Sequence, residues 1–189
     1  PPPPGGYTGG TSGMPFIAPE KVITHFHLRP GDSIGDFGAG SGFFTQALSR
    51  AVGSEGRVYL FEIQKAFVES AGKAAERERL GNVDVLWCDI EAREGCKLRD
   101  DVLDAGAVVN TLFQMEDKPA ALREIRRLLR PGGKLFIIDW SDSFGGMGPK
   151  PESIVPEAET KTLAEQNGFR FVRSFPAGGY HYGLAFQTV

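Results

Sequence analysis

The stretch Ser33-Ile34-Gly35-Asp36-Phe37-Gly38-Ala39-Gly40-Ser41-Gly42-Phe43-Phe44-Thr45 decides the fold. A short strand ends in glycines, and residues 43–52 then carry Phe43, Phe44, Ala47, Leu48 and Val52 at helical spacing. Strand, glycine turn and helix in that order open a doubly wound α/β sheet. Working outward, residues 57–63, 83–88, 102–110 and 134–140 read as strands, and 65–80 and 118–129 as helices. Upstream, a helix is expected from Pro19 through Val22, Ile23 and Phe26, stopped by Arg29-Pro30-Gly31. Runs such as Leu135-Phe136-Ile137-Ile138 are apolar on both faces, the mark of parallel strands covered by helices on both sides. A Gly/Pro-rich loop over 141–156 leads to a helix at 157–167 and strands at 169–175 and 180–188. Only Pro176-Ala177-Gly178-Gly179 joins those two strands, so they pair as an antiparallel hairpin.

Composition narrows the function. The 189 residues carry 21 Lys and Arg against 24 Asp and Glu, a net charge of −3. Nucleic-acid binders draw most of their affinity from phosphate neutralisation, so DNA and RNA are disfavoured as partners. No apolar run is long enough to span a membrane, and the first residues lack a leader pattern. Cys88 and Cys96 stand eight apart, with no Cys-x-x-Cys spacing and no clustered histidine. Cys88 falls in an apolar run and reads as a buried hydrophobe. The expectation is no disulfide, no metal site and a cytoplasmic, reducing setting. Residues 1–15, rich in Pro, Gly, Thr and Ser, read as a flexible arm, and 16–189 as one domain.

The glycine loop also limits its ligand. In a pyrophosphate-binding G-x-G-x-x-G loop the third glycine admits close helix–strand packing, and here that position is Phe43. Asp36 sets a carboxylate at the mouth of the loop, where it repels phosphate and accepts from an ammonium. Glu62, about twenty residues past the loop, ends the second strand where a carboxylate takes both ribose hydroxyls; the alternative is a solvated strand-end charge. Asp89 follows the third strand and can accept from an adenine amino group while Ile90 packs on the ring, or Asp89 can serve as a loop or cap charge. A ligand with an ammonium, a sulfonium and no phosphate fits these groups better than a dinucleotide. S-adenosylmethionine (SAM) is a ligand of that kind, and the loop suits it better than NAD.

With those residues in place, the chain resembles the class I SAM-dependent methyltransferases from about residue 17 to its end. Asp36-Phe37-Gly38-Ala39-Gly40-Ser41-Gly42-Phe43-Phe44-Thr45 is similar to the family's glycine-rich motif, Val58-Tyr59-Leu60-Phe61-Glu62 to its ribose-binding strand, and Leu128-Leu129-Arg130-Pro131-Gly132-Gly133-Lys134-Leu135 to the turn before its fifth strand. The nearest resemblance is to the compact set similar to ubiquinone/menaquinone-biosynthesis methyltransferases. It implies a Rossmann-like, seven-stranded, mostly parallel sheet of order 3-2-1-4-5-7-6 with strand 7 antiparallel. It also implies SAM as donor, S-adenosylhomocysteine (SAH) as product, and a donor site drawn from Asp36, Gly38, Ala39, Gly40, Phe43, Glu62, Ile63, Asp89, Ile90 and Asn110. Asn110, at the end of the fourth strand, is expected to touch the methionine moiety of SAM, or else to cap the strand. It is not followed by the prolines of relatives that methylate planar amines.

The acceptor side is less legible. A small-molecule acceptor is the leading expectation; a protein or RNA acceptor, or a SAM-binding partner without activity, are the alternatives. Asp139, closing the fifth strand, and His181 are the weak candidates for a general base. His181 opens the antiparallel strand, and its ring is expected near the opposite edge of the sheet, in a structural role. The loop 141–156, with Phe144 and Met147, and the arm with Tyr7 and Phe16 are expected to close over the acceptor. Arg123, Arg126, Arg127 and Arg130 read as a solvated helix face. Oligomeric state is open.

Overall fold

The computed structural model describes residues 17–189; Tyr7, Phe16 and the proposed arm lie outside the described residues. The chain forms β1 (Ser33–Phe37), α2 (Thr45–Val52), β2 (Arg57–Glu62), α3 (Lys65–Arg77), β3 (Val83–Trp87), β4 (Leu103–Val109), α4 (Lys118–Leu128), β5 (Leu129–Trp140), α5 (Glu157–Gln166), β6 (Phe169–Pro176) and β7 (His181–Thr188), preceded by a short α1 (Pro19–Val22) that tightens into a 3₁₀ turn over Ile23–Phe26. The sheet order is β3-β2-β1-β4-β5-β7-β6. Strands β1 to β5 are parallel, and β7 runs antiparallel between β5 and β6.

Alternation along the strands builds a core on each face. Phe37, Phe61, Val108, Leu135, Ile137, Leu184 and Phe186 pack one way, with Leu122 and Ile125 of α4. Ile34, Val58, Leu60, Phe136 and Ile138 pack the other way, with Leu48 of α2 and Phe26. The Phe26 and Phe136 rings stack at 4.1 Å, which fixes the N-terminal turn to the centre of the sheet. Parallel strands buried on both faces follow from this arrangement.

Several local expectations are corrected. Helix α2 starts at Thr45 rather than residue 43, because Gly42 turns through φ +84° and delays the helical backbone. Helix α3 stops at Arg77 rather than residue 80, where Arg79 enters the left-handed region at φ +56°. Strand β5 begins at Leu129 and runs through Pro131-Gly132-Gly133, with a register shift between the Leu103–Leu129 and Ala105–Lys134 pairs.

The cysteines are the largest departure. Cys88 and Cys96 form a disulfide, with Cα atoms 4.7 Å apart. Sequence spacing carried no sign of it, because the approach is made by tertiary bonds. The chain leaving β3 curls back until a Cβ on Gly95 would overlap the Asp89 carbonyl. Glu124 of α4 then accepts from the amides of Glu94 and Cys96, both at 3.1 Å. Arg127 is likewise no solvated side chain. It pairs with Glu124 at 2.6 Å and Asp100 at 2.5 Å, and donates to the carbonyls of Cys96 and Leu98, both at 3.0 Å. Arg130 is ion-paired with Asp104.

Candidate functional site

The carboxyl ends of β1, β2 and β4 meet where the strand order reverses, the place where open α/β sheets leave a crevice. Gly38 and Ala39 both donate their amides to the Phe61 carbonyl, at 2.8 and 3.2 Å, so the chain leaving β1 turns across the end of β2. Gly38, Gly40 and Gly42 have φ of +73°, +56° and +84°, a conformation that non-glycine residues resist. A Cβ on Gly38 would lie 2.3 Å from the Thr111 methyl, whereas one on Gly40 would meet nothing within 4 Å. The first glycine therefore serves packing and the second leaves open space. Thr111 also bonds the Gly38 carbonyl at 3.2 Å, tying the β4 exit to this loop.

Two buried acids face that space. Glu62 accepts from Gly40 N–H at 2.9 Å through one oxygen and from Gln64 N–H at 2.8 Å through the other. Asp36 is only 3% exposed. Burial, and then the charge of Glu62, push its carboxyl up to about 7. No lysine or arginine occurs between residues 36 and 44, so the loop offers a phosphate no cation.

Farther along the rim, Asp89 accepts from Glu91 N–H at 3.0 Å and Ile90 is buried. Phe43 (63% exposed) and Ile63 (51%) present apolar surface, and the Trp87 indole N–H bonds the Ile63 carbonyl at 2.8 Å. Asn110 sits at φ +52°, rare for a side-chain-bearing residue. Its amide bonds the Ile138 carbonyl at 2.8 Å, and its side-chain oxygen is buried without a hydrogen-bond partner among the described residues.

The acceptor-side expectations change more. His181 pairs in register with Trp140, their rings 4.4 Å apart. An antiparallel strand starts beside the carboxyl end of its parallel neighbour, so His181 stands at the same edge as the glycine loop and not at the opposite one. Asp139 is 2% exposed and accepts from Trp140 N–H at 2.8 Å and Phe113 N–H at 3.1 Å. Burial pushes it up to about 6, against the pull of those amides. Opposite Asp139, the Tyr182 hydroxyl bonds Thr160 at 2.7 Å and the Val155 carbonyl at 3.0 Å. The loop from Ser141 folds back so that Gly148 contacts the Trp140 indole, and Phe144 meets Tyr180 edge-on at 4.7 Å. Sequence reasoning missed Trp87 and the Glu124–Arg127 pair; only the i,i+3 spacing of the last two was a signal.

The family model described as "Methyltransferase domain" matches residues 28–169. The chain belongs to the class I SAM-dependent methyltransferases. It is 33% identical over 144 residues to a ubiquinone/menaquinone biosynthesis C-methyltransferase UbiE of Marinomonas, covering 76% of this chain and 53% of the relative. The same-named protein of Chromobacterium violaceum is 31% identical, over 68% of this chain and 53% of its own length. The methyltransferase thus spans about half the length of these curated relatives. A crystal structure of a SAM-dependent methyltransferase from Aquifex aeolicus superposes with a TM-score of 0.85 at 31% identity, covering 92% of this chain and 91% of that one. Among the described residues no helix is long and apolar enough to cross a membrane. The open space over Gly40, the Asn110 oxygen without a partner among the described residues, and two buried acids on a loop without Lys or Arg fit a cationic, phosphate-free nucleoside.

Proposed function

We propose that this methyltransferase, a single domain over residues 16–189, transfers the SAM methyl group to a carbon atom of a small molecule. SAM, when bound, supplies an activated methyl for in-line displacement, leaving the protein to position the reactants, exclude water and, at a carbon acceptor, provide for loss of the proton that the methyl replaces. The observation that carries the donor side is the pair Asp36 and Glu62 beside the open face of Gly40. In this reading Glu62, held by Gly40 and Gln64, keeps free lone pairs for the ribose diol. Asp36 and the Asn110 oxygen accept from the methionine ammonium, Asp89 takes the adenine amino group, and Ile63, Ile90 and Phe43 cover the base and sulfur. The name C-methyltransferase borne by the UbiE relatives supports a carbon acceptor. Asp139, 2% exposed and bonded to backbone amides through both oxygens, is assigned no part in the proton chemistry of this reading.

Calorimetry with SAM and SAH tests the donor site. Both bind the wild-type protein; failure of the folded protein to bind either refutes the assignment. Affinity also depends on pH with a definite sign. A protonated Asp36 cannot accept a second proton-bearing group as a carboxylate does, so binding below about pH 7 expels its proton. SAH affinity is expected to rise by up to about tenfold per pH unit on approaching 7 and then level off. Near pH 6 the binding enthalpy should change with the ionisation enthalpy of the buffer. Asp36→Asn should flatten both dependences, and a slope that persists in that variant assigns the proton elsewhere.

A further inference from the structure

Asp139 is a buried carboxylate that the methyl-transfer chemistry leaves without a task. Its hydrogen bonds come from backbone, with the charge of Lys118 as the weakest attraction acting on it. One oxygen accepts from its neighbour Trp140 N–H at 2.8 Å, the other from Phe113 N–H at 3.1 Å, and the Leu112 amide adds to the attraction. The carboxylate therefore stitches the end of β5 to the turn that leaves β4. That turn begins at Asn110, whose left-handed backbone at φ +52° needs support from outside the residue. Support comes from β5 twice. The Ile138 carbonyl accepts the Asn110 amide at 2.8 Å, and one residue later Asp139 holds the amide of Phe113. A third tie lies within the turn, where the Gln114 side chain donates to the Asn110 carbonyl at 2.8 Å. The product of this bracing is an Asn110 side-chain oxygen that is buried and has no hydrogen-bond partner among the described residues.

We propose that Asp139 is a positioning residue for the methyl donor: by fixing the turn over residues 111–113 it holds Asn110 with its amide oxygen turned to the donor's methionine ammonium. The proposal rests on the donor reading above, in which Asn110 touches SAM. Asp139 itself contacts neither donor nor acceptor. Its influence passes through backbone, so replacing it is felt only where Asn110 is present to be felt through.

That dependence gives the test, a double-mutant cycle on SAH binding read by calorimetry. Asp139→Asn keeps one acceptor oxygen and loses the other, and is expected to bind SAH about tenfold more weakly than wild type while still unfolding cooperatively. Asn110→Ala is expected to lose about tenfold as well. The double variant should bind within about twofold of Asn110→Ala alone, because the second change then has nothing left to misplace. Independent losses multiplying to about a hundredfold would mean that Asp139 acts by another route, as would an unchanged affinity in Asp139→Asn; either overturns the proposal. Should Asp139→Asn fail to fold, hydrogen exchange on the wild type decides. SAH should slow exchange at the Phe113 amide by about tenfold or more through the reciprocal coupling, and no slowing overturns the proposal. Wild-type protein that binds neither SAM nor SAH removes the donor reading itself, a failure distinct from an additive cycle in a protein that binds both.

Discussion

Replacing Glu62 by alanine is expected to weaken SAH binding by about a hundredfold, the loss of the two ribose hydrogen bonds to a charged group at about 1.5 kcal/mol each. The carboxylate has three attachments in the donor reading, and the variant removes all of them. The Gly40 and Gln64 amides, which it accepts at 2.9 and 2.8 Å, are left without an acceptor in a half-buried site, and the ribose diol loses its partner. Unsatisfied donors cost more than the bonds they made, so the loop itself loosens. Glu62→Gln separates charge from shape. It keeps one oxygen for Gly40 but removes the negative charge that helps push Asp36 up. The pH at which SAH affinity levels off should therefore move below 7 in Glu62→Gln. Calorimetry across pH measures both effects. An affinity within about threefold of wild type in Glu62→Ala would exclude a ribose role.

The second large effect falls on stability. Gly38→Ala should lower unfolding free energy by about 3 kcal/mol, part from a left-handed backbone and part from a clash. The new methyl would lie 2.3 Å from the Thr111 methyl and 2.8 Å from its hydroxyl, at φ +73°. For a chain of this length that is a fall in Tm of roughly 6–12 °C. Adding Thr111→Ser removes the closer of the two contacts and should recover part of the loss, which calorimetric melts can resolve. Gly40→Ala is the useful contrast. Its Cβ meets nothing within 4 Å, so the fold should pay only for φ +56°, about 1 kcal/mol. The methyl would instead project where the ligand is proposed to lie, so SAH affinity should fall further than stability does. Equal Tm values for Gly38→Ala and wild type would refute the packing account.

The fold was readable because its signals repeat. Continuous apolar runs such as Leu135–Ile138 allow only a strand covered on both sides, and the four-residue link at 176–179 leaves no room for a crossover helix. Asp36, Glu62 and Asp89, the acids proposed for the donor site, stood out in the sequence because each lies at or within two residues of a strand's carboxyl end. What sequence hid was set by contacts across the fold. Pro131-Gly132-Gly133 reads as a break, and the ladder with β4 does lapse there, Gly132 turning at φ +77° before pairing resumes at Lys134; what the sequence did not show is that β5 already begins before the break, at Leu129. Phe43 and Phe44 look helical until the turn at Gly42 is known. The Cys88–Cys96 bond depends on Glu124 and Arg127 of α4 drawing in a loop nearly thirty residues away. His181 was misplaced by one step of reasoning: reversing a strand reverses its start as well, and brings that start to the rim.

The insertion of β7 between β5 and β6 also bears on how the chain is made. Translation delivers residues in order, and domains begin to fold as they emerge. Strand β5 is complete at Trp140, but the partner that covers its outer edge, His181–Thr188, is the last strand of this sheet to be made. Until then Leu135–Ile138, among the most apolar segments of the chain, offers a row of unpaired amides and carbonyls. Strand β6 emerges first and does not close the gap, since among the described residues it pairs with β7 and not with β5. A nascent chain paused anywhere between residues 141 and 180 therefore carries an open, sticky sheet edge, and that interval is when it most needs a chaperone's protection.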